Sequence, residues 1–194
     1  MENLLIRIKT QIARLENVSQ PERKIELRAG ANDTDFARLE SLLGFPLPED
    51  FKELYRIHNG EAGGNSFFMG EEWLSVNRIL AEYEMWLYLY EDDGFCEDDS
   101  DYGCESDDGI KPNYWWNPRW IPFTAGAAGE SLMIDLDPAP NGHTGQIIRV
   151  WPDDPTRQII AVSLRELLAG YAEALENNQY IIDPVYGGIT RQSS

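Results

Sequence analysis

Three short apolar runs, Ser131 to Leu136, Gly145 to Trp151 and Gln158 to Val162, stand between clusters of Pro, Gly and Asn. Runs this short, bounded by turn residues, read as antiparallel strands joined by turns. A sheet with an apolar face has to be covered, and the chain supplies helices on both sides of it in sequence. Leu4, Leu5, Ile8, Ile12 and Leu15 recur at helical spacing, which predicts an amphipathic helix near 2 to 16. Phe36, Leu39, Leu42 and Leu43 repeat the pattern after the cap-like Asn32-Asp33-Thr34, and Gly44 suits a stop at positive φ. Pro46-Leu47-Pro48-Glu49-Asp50 starts a third helix with Phe51, Leu54, Tyr55 and Ile57 inward and Asn59-Gly60 closing it.

Between these helices and the strands, Phe67-Phe68-Met69 and Trp73-Leu74 read as short strands, and Ser75 caps a helix carrying Val76, Ile79, Leu80, Tyr83, Trp86, Leu87 and Tyr90. After the strands, Ser163-Leu-Arg-Glu166 has capping-box spacing and opens a helix through Leu167, Leu168, Tyr171 and Leu175 that ends near Asn177-Asn178. Tyr180 to Ser194 reads as a short tail whose Tyr180, Ile181 and Ile182 dock while the polar end frays.

A length of 194 residues suits one domain, since a chain of this size buries about 70% of the surface it exposes when unfolded. With 42% hydrophobic residues, six Trp, nine Tyr and seven Phe, the apolar material for a core is present. The expected fold is α+β: a single domain over 1–194 in which a mostly antiparallel sheet of about five or six strands packs with N-terminal helices and a C-terminal helix. No apolar run approaches the roughly 20 residues that span a bilayer, and the N-terminus alternates charge with Leu and Ile. These features predict no membrane contact and a cytoplasmic location. Cys96 and Cys104 are expected to be thiols in a reducing compartment, with pairing across their loop left open.

The charge is lopsided, 34 Asp and Glu against 16 Lys and Arg for a net −18. Such a chain repels nucleic acid and anionic lipid and attracts cationic proteins, so no direct nucleic-acid partner is expected. The excess concentrates between Glu91 and Asp108, which holds ten carboxylates and no Lys or Arg. That density cannot be buried. A solvated loop that merely adds solubility is one reading. The other is a cation-facing surface: carboxylates within a Debye length of about 8 Å act together on a basic partner and raise its association rate by ~10 to ~1000-fold. Its candidate partner-binding residues are Glu91, Asp92, Asp93, Glu97, Asp98, Asp99, Asp101, Asp107 and Asp108, with Tyr102, Tyr114 and Trp115 as apolar anchors. On an extended segment Trp115 and Trp116 point oppositely, so both cannot face the core.

Metal and catalytic readings fare worse. With Gly103 as the required glycine of a calcium loop, Tyr102 and Gly109 fall at ligand positions, so the EF-hand register fails and only loose calcium coordination stays open. Zinc lacks a second cysteine pair or a neighbouring histidine. Asp135 and Asp137 are two apart with His143 in the next turn, a candidate acid, base or metal cluster. Turn chemistry explains Asp137-Pro138-Ala-Pro140-Asn-Gly142 more simply. His58 beside Asn59-Gly60 reads as a capping or core residue, and Ser131 lacks the second glycine of a nucleophile elbow. No catalytic residue, cofactor or metal is assigned.

Two blocks carry a family resemblance. The first runs from Leu43-Gly44-Phe45-Pro46-Leu47-Pro48-Glu49-Asp50-Phe51 through His58-Asn59-Gly60. The second is Trp116-Asn-Pro-Arg-Trp120-Ile-Pro122-Phe123, then Gly129-Glu130-Ser-Leu-Met-Ile-Asp135-Leu-Asp137-Pro138, Gly142-His-Thr-Gly145-Gln146-Ile147 and Ser163-Leu164. With the order of elements they cover roughly 34 to 177, and they resemble the SUKH superfamily, the Smi/Knr-type cell-wall regulators and their bacterial relatives. Two departures stand out: Glu130 in place of a shorter Asp or Asn, and a segment at 91–111 that looks longer and more acidic. The resemblance implies a non-catalytic binding protein. The leading expectation is a bacterial immunity protein that binds and neutralises a cognate basic toxin, for instance a nuclease. The alternative is an intracellular regulatory scaffold of cell-wall or envelope assembly, with a hydrolase or metal enzyme third. Trp116, Trp120, Pro122 and Phe123 read as core, with Pro122 suited to a sheet edge or bulge.

Overall fold

A computed structural model describes residues 1–19, 24–63, 66–92, 104–183 and 188–192. The three apolar runs form β5 (Ser131–Asp135), β6 (Gln146–Val150) and β7 (Thr156–Ala161), an antiparallel meander in register from Ser131↔Val150 to Asp135↔Gln146. The sheet is widened by β2 (Glu105–Ser106) and β3 (Trp120–Pro122) to the order β2-β7-β6-β5-β3. The expected size and largely antiparallel character hold, with one exception: β2 runs parallel to β7. Pro122 falls on the outer strand, where its missing N–H costs no ladder bond.

Two further strands, β1 (Glu72–Trp73) and β4 (Thr124–Ala125), pair beside that margin. Phe67-Phe68-Met69 is not the strand its apolar run suggested. Met69 sits at φ 52 and Phe68 makes only an isolated bridge with Glu71, so the run is a tight turn that drives both phenylalanines inward. The tail is likewise more regular than expected, because β8 (Tyr180–Ile182) and β9 (Ile189–Arg191) form a hairpin.

Five helices lie among the described residues: α1 (Glu2–Ser19), α2 (Asp33–Leu43), α3 (Glu49–Ile57), α4 (Val76–Asp92) and α5 (Leu164–Glu176). Local chemistry sets their ends. Asn32 accepts the amides of Thr34 and Asp35 while the Asp35 carboxylate takes the Asn32 amide, a reciprocal cap. Ser163 accepts the Glu166 amide at 3.2 Å. Among the described residues, the return bond expected from the Glu166 side chain is not made.

Alternation along the meander puts Leu132, Ile134 and Ile147 on one face and Met133, Ile148 and Val150 on the other, all buried. Helix α5 packs against β6 and β7 and against α1 and α3, while α4 packs against β3 and α2. Two aromatic clusters fill the interior. Trp73 is ringed by Tyr55, Phe67 and Phe68 at centroid distances of 5.3 to 5.6 Å. Trp116, itself fully buried, sits among Tyr83, Trp86 and Tyr90 of α4. Rings at these separations add about 0.5–1.5 kcal/mol per pair beyond the area they bury.

Asn59-Gly60 does more than end α3. The Asn59 side chain accepts the Val76 amide at the start of α4, and the Gly60 carbonyl accepts the Arg28 amide. Gly60 (φ +73) is pressed against the backbone of Leu74 and Ser75, where a Cβ would stand 2.5 Å from the Ser75 nitrogen. Gly44 has a similar φ of +75 and open space around it. Gly44→Ala is therefore expected to cost about 1 kcal/mol of left-handed strain, and Gly60→Ala more than about 3 kcal/mol because the backbone must also move. Urea denaturation of the two variants measures the difference.

Candidate functional site

The described part of the acidic segment is fastened to the sheet by polar contacts at each step. The Glu105 amide donates to the Pro155 carbonyl and the Asp107 amide to the Arg157 carbonyl, both at 3.0 Å. The Asp107 carboxylate then accepts the Ile159 amide at 2.7 Å, standing where a third residue of β2 would have bonded. Asp108 accepts the Asn141 side chain at 2.8 Å. Gly109 crosses Gly142 so closely that a Cβ on Gly142 would lie 2.1 Å from the Gly109 carbonyl oxygen. Lys111 reaches both Asp137 oxygens at 2.6 Å, and Asn117 donates to the same carboxylate at 3.2 Å.

Behind these contacts lies a carboxyl group wholly out of water. Asp135 accepts the Asp137 amide at 2.9 Å and the Gln146 amide group at 2.8 Å, while Gln146 also donates to the Gly109 carbonyl at 2.9 Å. Burial outweighs these hydrogen bonds and pushes the Asp135 carboxyl above its ordinary 3.8. Arg157 is also fully buried and donates to the carbonyls of Trp115, Asp154 and Thr156. Its guanidinium lies 4.9 Å from the Trp115 ring centroid, a cation–π contact that seats the indole. Burial pushes this guanidinium down to about 10, so it keeps its charge at neutral pH.

Glu91 is exposed in the last turn of α4, where the last turn carries no basic residue. Asp92 ends that helix. Asp93, Glu97, Asp98, Asp99, Asp101 and Tyr102 lie outside the described residues, as does Cys96. Asp107 and Asp108 are exposed yet serve as acceptors for the chain's own amides. Tyr114 is half-buried with its ring 6.5 Å from that of Trp120, and Trp115 is half-buried under Arg157. The helix end bearing Glu91 and the segment bearing Trp115 meet at Trp116, whose ring is 6.0 Å from that of Tyr90.

The Asp135, Asp137 and His143 cluster does not form. Asp135 is sealed, Asp137 is paired with Lys111, and exposed His143 takes part through its backbone amide, which donates to Gln146. His58 caps α3 and contacts Lys9 and the Arg28 carbonyl. Among the described residues, no three His, Cys, Asp or Glu side chains gather as metal ligands. The residues that sequence reasoning missed are Lys111, Asn117, Gln146 and Arg157. Lys111 offered one signal, as the first cation after the acidic run. Gln146 and Arg157 offered none, because a polar residue within a strand normally marks a solvent-facing position.

The chain that folds in this α+β arrangement, with its Asn-Gly junction and Trp-Pro block, falls in the SUKH superfamily of protein-interaction domains. The sequence profile of one branch matches residues 30–170, and the chain belongs to that branch, the SMI1 / KNR4 family (SUKH-1). It is similar to KNR4/SMI1 homolog 2 of Debaryomyces hansenii, 28% identical over 84% of this chain and 34% of that protein. It is 29% identical to the cell wall biosynthesis/cell cycle regulator smi1 of Schizosaccharomyces pombe over 81% of this chain and 33% of that one. The glucan synthesis regulatory protein of Neurospora crassa is 26% identical over 89% of this chain and 38% of its own length. The chain thus spans about a third of the length of these relatives. Their names overturn the expectation of a toxin-neutralising immunity protein, because they are fungal regulators of wall and glucan synthesis. Shared fold had suggested a bacterial role, but fold alone does not specify which partner a scaffold serves.

The clamp makes a prediction about pH. Folded Asp135 holds its proton more tightly than the unfolded chain does, so this group favours the fold below its ordinary 3.8 and loses that contribution as pH rises through the folded value. Asp135→Asn removes the titration. Its stability is expected to fall less steeply than that of the parent above pH 3.8, as read from urea midpoints across the acid range.

Proposed function

We propose that this chain is a single, non-catalytic binding domain over 1–194 that acts in the control of cell-wall assembly from the cytoplasmic side. The observation that carries the reading is the match, over more than four-fifths of the chain, to fungal proteins named as regulators of wall and glucan synthesis. A binding role agrees with the chemistry of the clamp. Its buried polar groups are occupied in holding one another, which fixes the shape of a surface. No helix among the described residues is long and apolar enough to cross a membrane.

Charge specifies the kind of partner. A net −18, with ten carboxylates from Glu91 to Asp108, favours a basic protein and disfavours nucleic acid. Steering falls to Glu91, Asp92, Asp93, Glu97, Asp98, Asp99 and Asp101, while Asp107 and Asp108 shape the segment's base. Tyr102, Tyr114 and Trp115 supply apolar contact.

Disruption of the gene in its own host tests the reading. The expected result is faster lysis under wall-digesting enzyme and altered wall glucan; unchanged lysis and glucan would overturn it. Charge steering has a separate measurement. Neutralising Glu91 to Asp101 by Glu→Gln and Asp→Asn changes is expected to slow association with a co-purifying basic partner by ~10-fold or more and to flatten its salt dependence. An association rate that ignores both changes and salt would remove the acidic segment from recognition.

A further inference from the structure

Arg119 differs from every other arginine among the described residues in what its guanidinium does. Arg7, Arg78 and Arg165 give theirs to carboxylates, Arg14, Arg38 and Arg191 give theirs to side-chain amide oxygens, and the rest likewise bond or pair with an oxygen. Among the described residues, Arg119 donates none of its side-chain N–H groups and makes no ion pair, although the chain offers 34 Asp and Glu to 16 Lys and Arg. It is exposed, while Trp116 and Trp120 on either side of it in sequence are fully buried. Its guanidinium lies 4.3 Å from the Phe45 ring centroid, the shortest contact of this kind among the described residues.

The position is rigid. The Asn117 side chain accepts the Arg119 amide at 2.8 Å, the Arg119 carbonyl accepts the Leu136 amide at 3.0 Å, and Tyr83 of α4 donates to the Pro118 carbonyl at 2.9 Å. Phe45, just past the stop at Gly44, is half-buried and packed on the core. Stacking uses the face of a guanidinium and leaves the donors along its rim to other partners. Much of the freedom that a long side chain gives up on binding is then lost already. Shielding a ring from water is a task that any long aliphatic stem performs, and it does not call for a planar fork. A rigid, exposed guanidinium with unused donors has the character of an interface anchor, a role in which arginine is enriched. Its complement is a carboxylate, which meets the fork with two parallel bonds. Phosphate fits the same fork, but a net −18 repels nucleic acid and anionic lipid. A basic protein drawn in by the acidic segment still presents single Asp and Glu residues, and one cation set in an acidic surface fixes where such a residue lands.

We propose that Arg119, stacked on Phe45, is a recognition anchor that takes one Asp or Glu side chain of a partner protein in a bidentate pair and so sets the register of binding. The proposal rests on reading the chain as a binding domain and names one contact of its interface.

The test uses the full, 15N-labelled chain and two short peptides blocked at both ends, acetyl-Ala-Leu-Glu-Leu-Ala-amide and its Gln counterpart. Binding is expected at a Kd of about 1 mM, because one anchor is sampled alone. The Glu peptide is expected to shift the Arg119 Nε–Hε resonance and to bind ~10-fold more tightly than the Gln peptide. Arg119→Lys keeps the charge and loses the fork, and it is expected to weaken the Glu peptide by ~5-fold or more. Since the Arg119 side chain donates no hydrogen bond among the described residues, amide resonances far from it are expected to stay in place in that variant, which checks folding. Three results would overturn the proposal: equal affinity for the two peptides, an Arg119→Lys chain that binds the Glu peptide as tightly as the parent, or shifts that centre on another arginine. Arg119→Glu placed in the gene separates this claim from the functional one. A wall defect on gene disruption but none in that variant sinks the anchor and spares the function. No defect on disruption sinks the function, and the peptide titration still decides the anchor.

Discussion

Removing the Asp135 carboxyl from water organises one end of the molecule. Desolvating such a group costs several kcal/mol unless hydrogen bonds replace hydration, and the chain supplies them from three places. The strand turn gives the Asp137 amide, β6 gives Gln146, and Gln146 in turn ties down the Gly109 carbonyl. A segment too rich in acid to be buried is thereby held against a sheet. Lys111, Asn117 and Arg157 extend the same logic outward, each linking a loop to a strand or its turn.

Elements whose signals are local were legible in the sequence. The cap at Asn32, the stop at Gly44, the Ser163 cap and the three meander strands all follow from residues within a few positions of one another. Pro122 announced a sheet margin because a proline cannot donate. What was not legible depends on distant partners. Phe67-Phe68-Met69 has a strand's composition, but Tyr171 donates to the Phe67 carbonyl and the run folds back as a turn. Gln146 and Arg157 look like solvent-facing strand residues until a loop some 40 positions away closes over them. The candidate site was half legible for the same reason. Composition marks the acid; only the fold shows that Asp107 and Asp108 are committed to amides.

Function was legible at the level of class and misread at the level of biology. The Trp-Pro block and Asn-Gly junction identify the scaffold because they are structural: Trp116 is buried among the aromatics of α4, and Gly60 lies against the backbone that leads into the same helix. Residues that hold a scaffold together say little about what it binds. The distinction between an immunity protein and a wall regulator lies on surfaces, where one sequence carries little sign of its partner. The match to fungal proteins named as wall and glucan regulators, over most of the chain, speaks against the first of the two.

Both margins of the main sheet are short strands, β2 with two residues and β3 with three. On one side Pro122 and the neighbouring β1–β4 pair stand against it. On the other, the Asp107 carboxylate occupies the next open amide of β7. A visiting chain thus finds little unpaired backbone to zip onto, so aggregation by strand addition is suppressed at its origin. Recognition is left to side chains on helices and loops, and these can be exchanged one at a time without shifting any strand register. A domain built this way can change allegiance between partners by point substitution while its interior stays as it is.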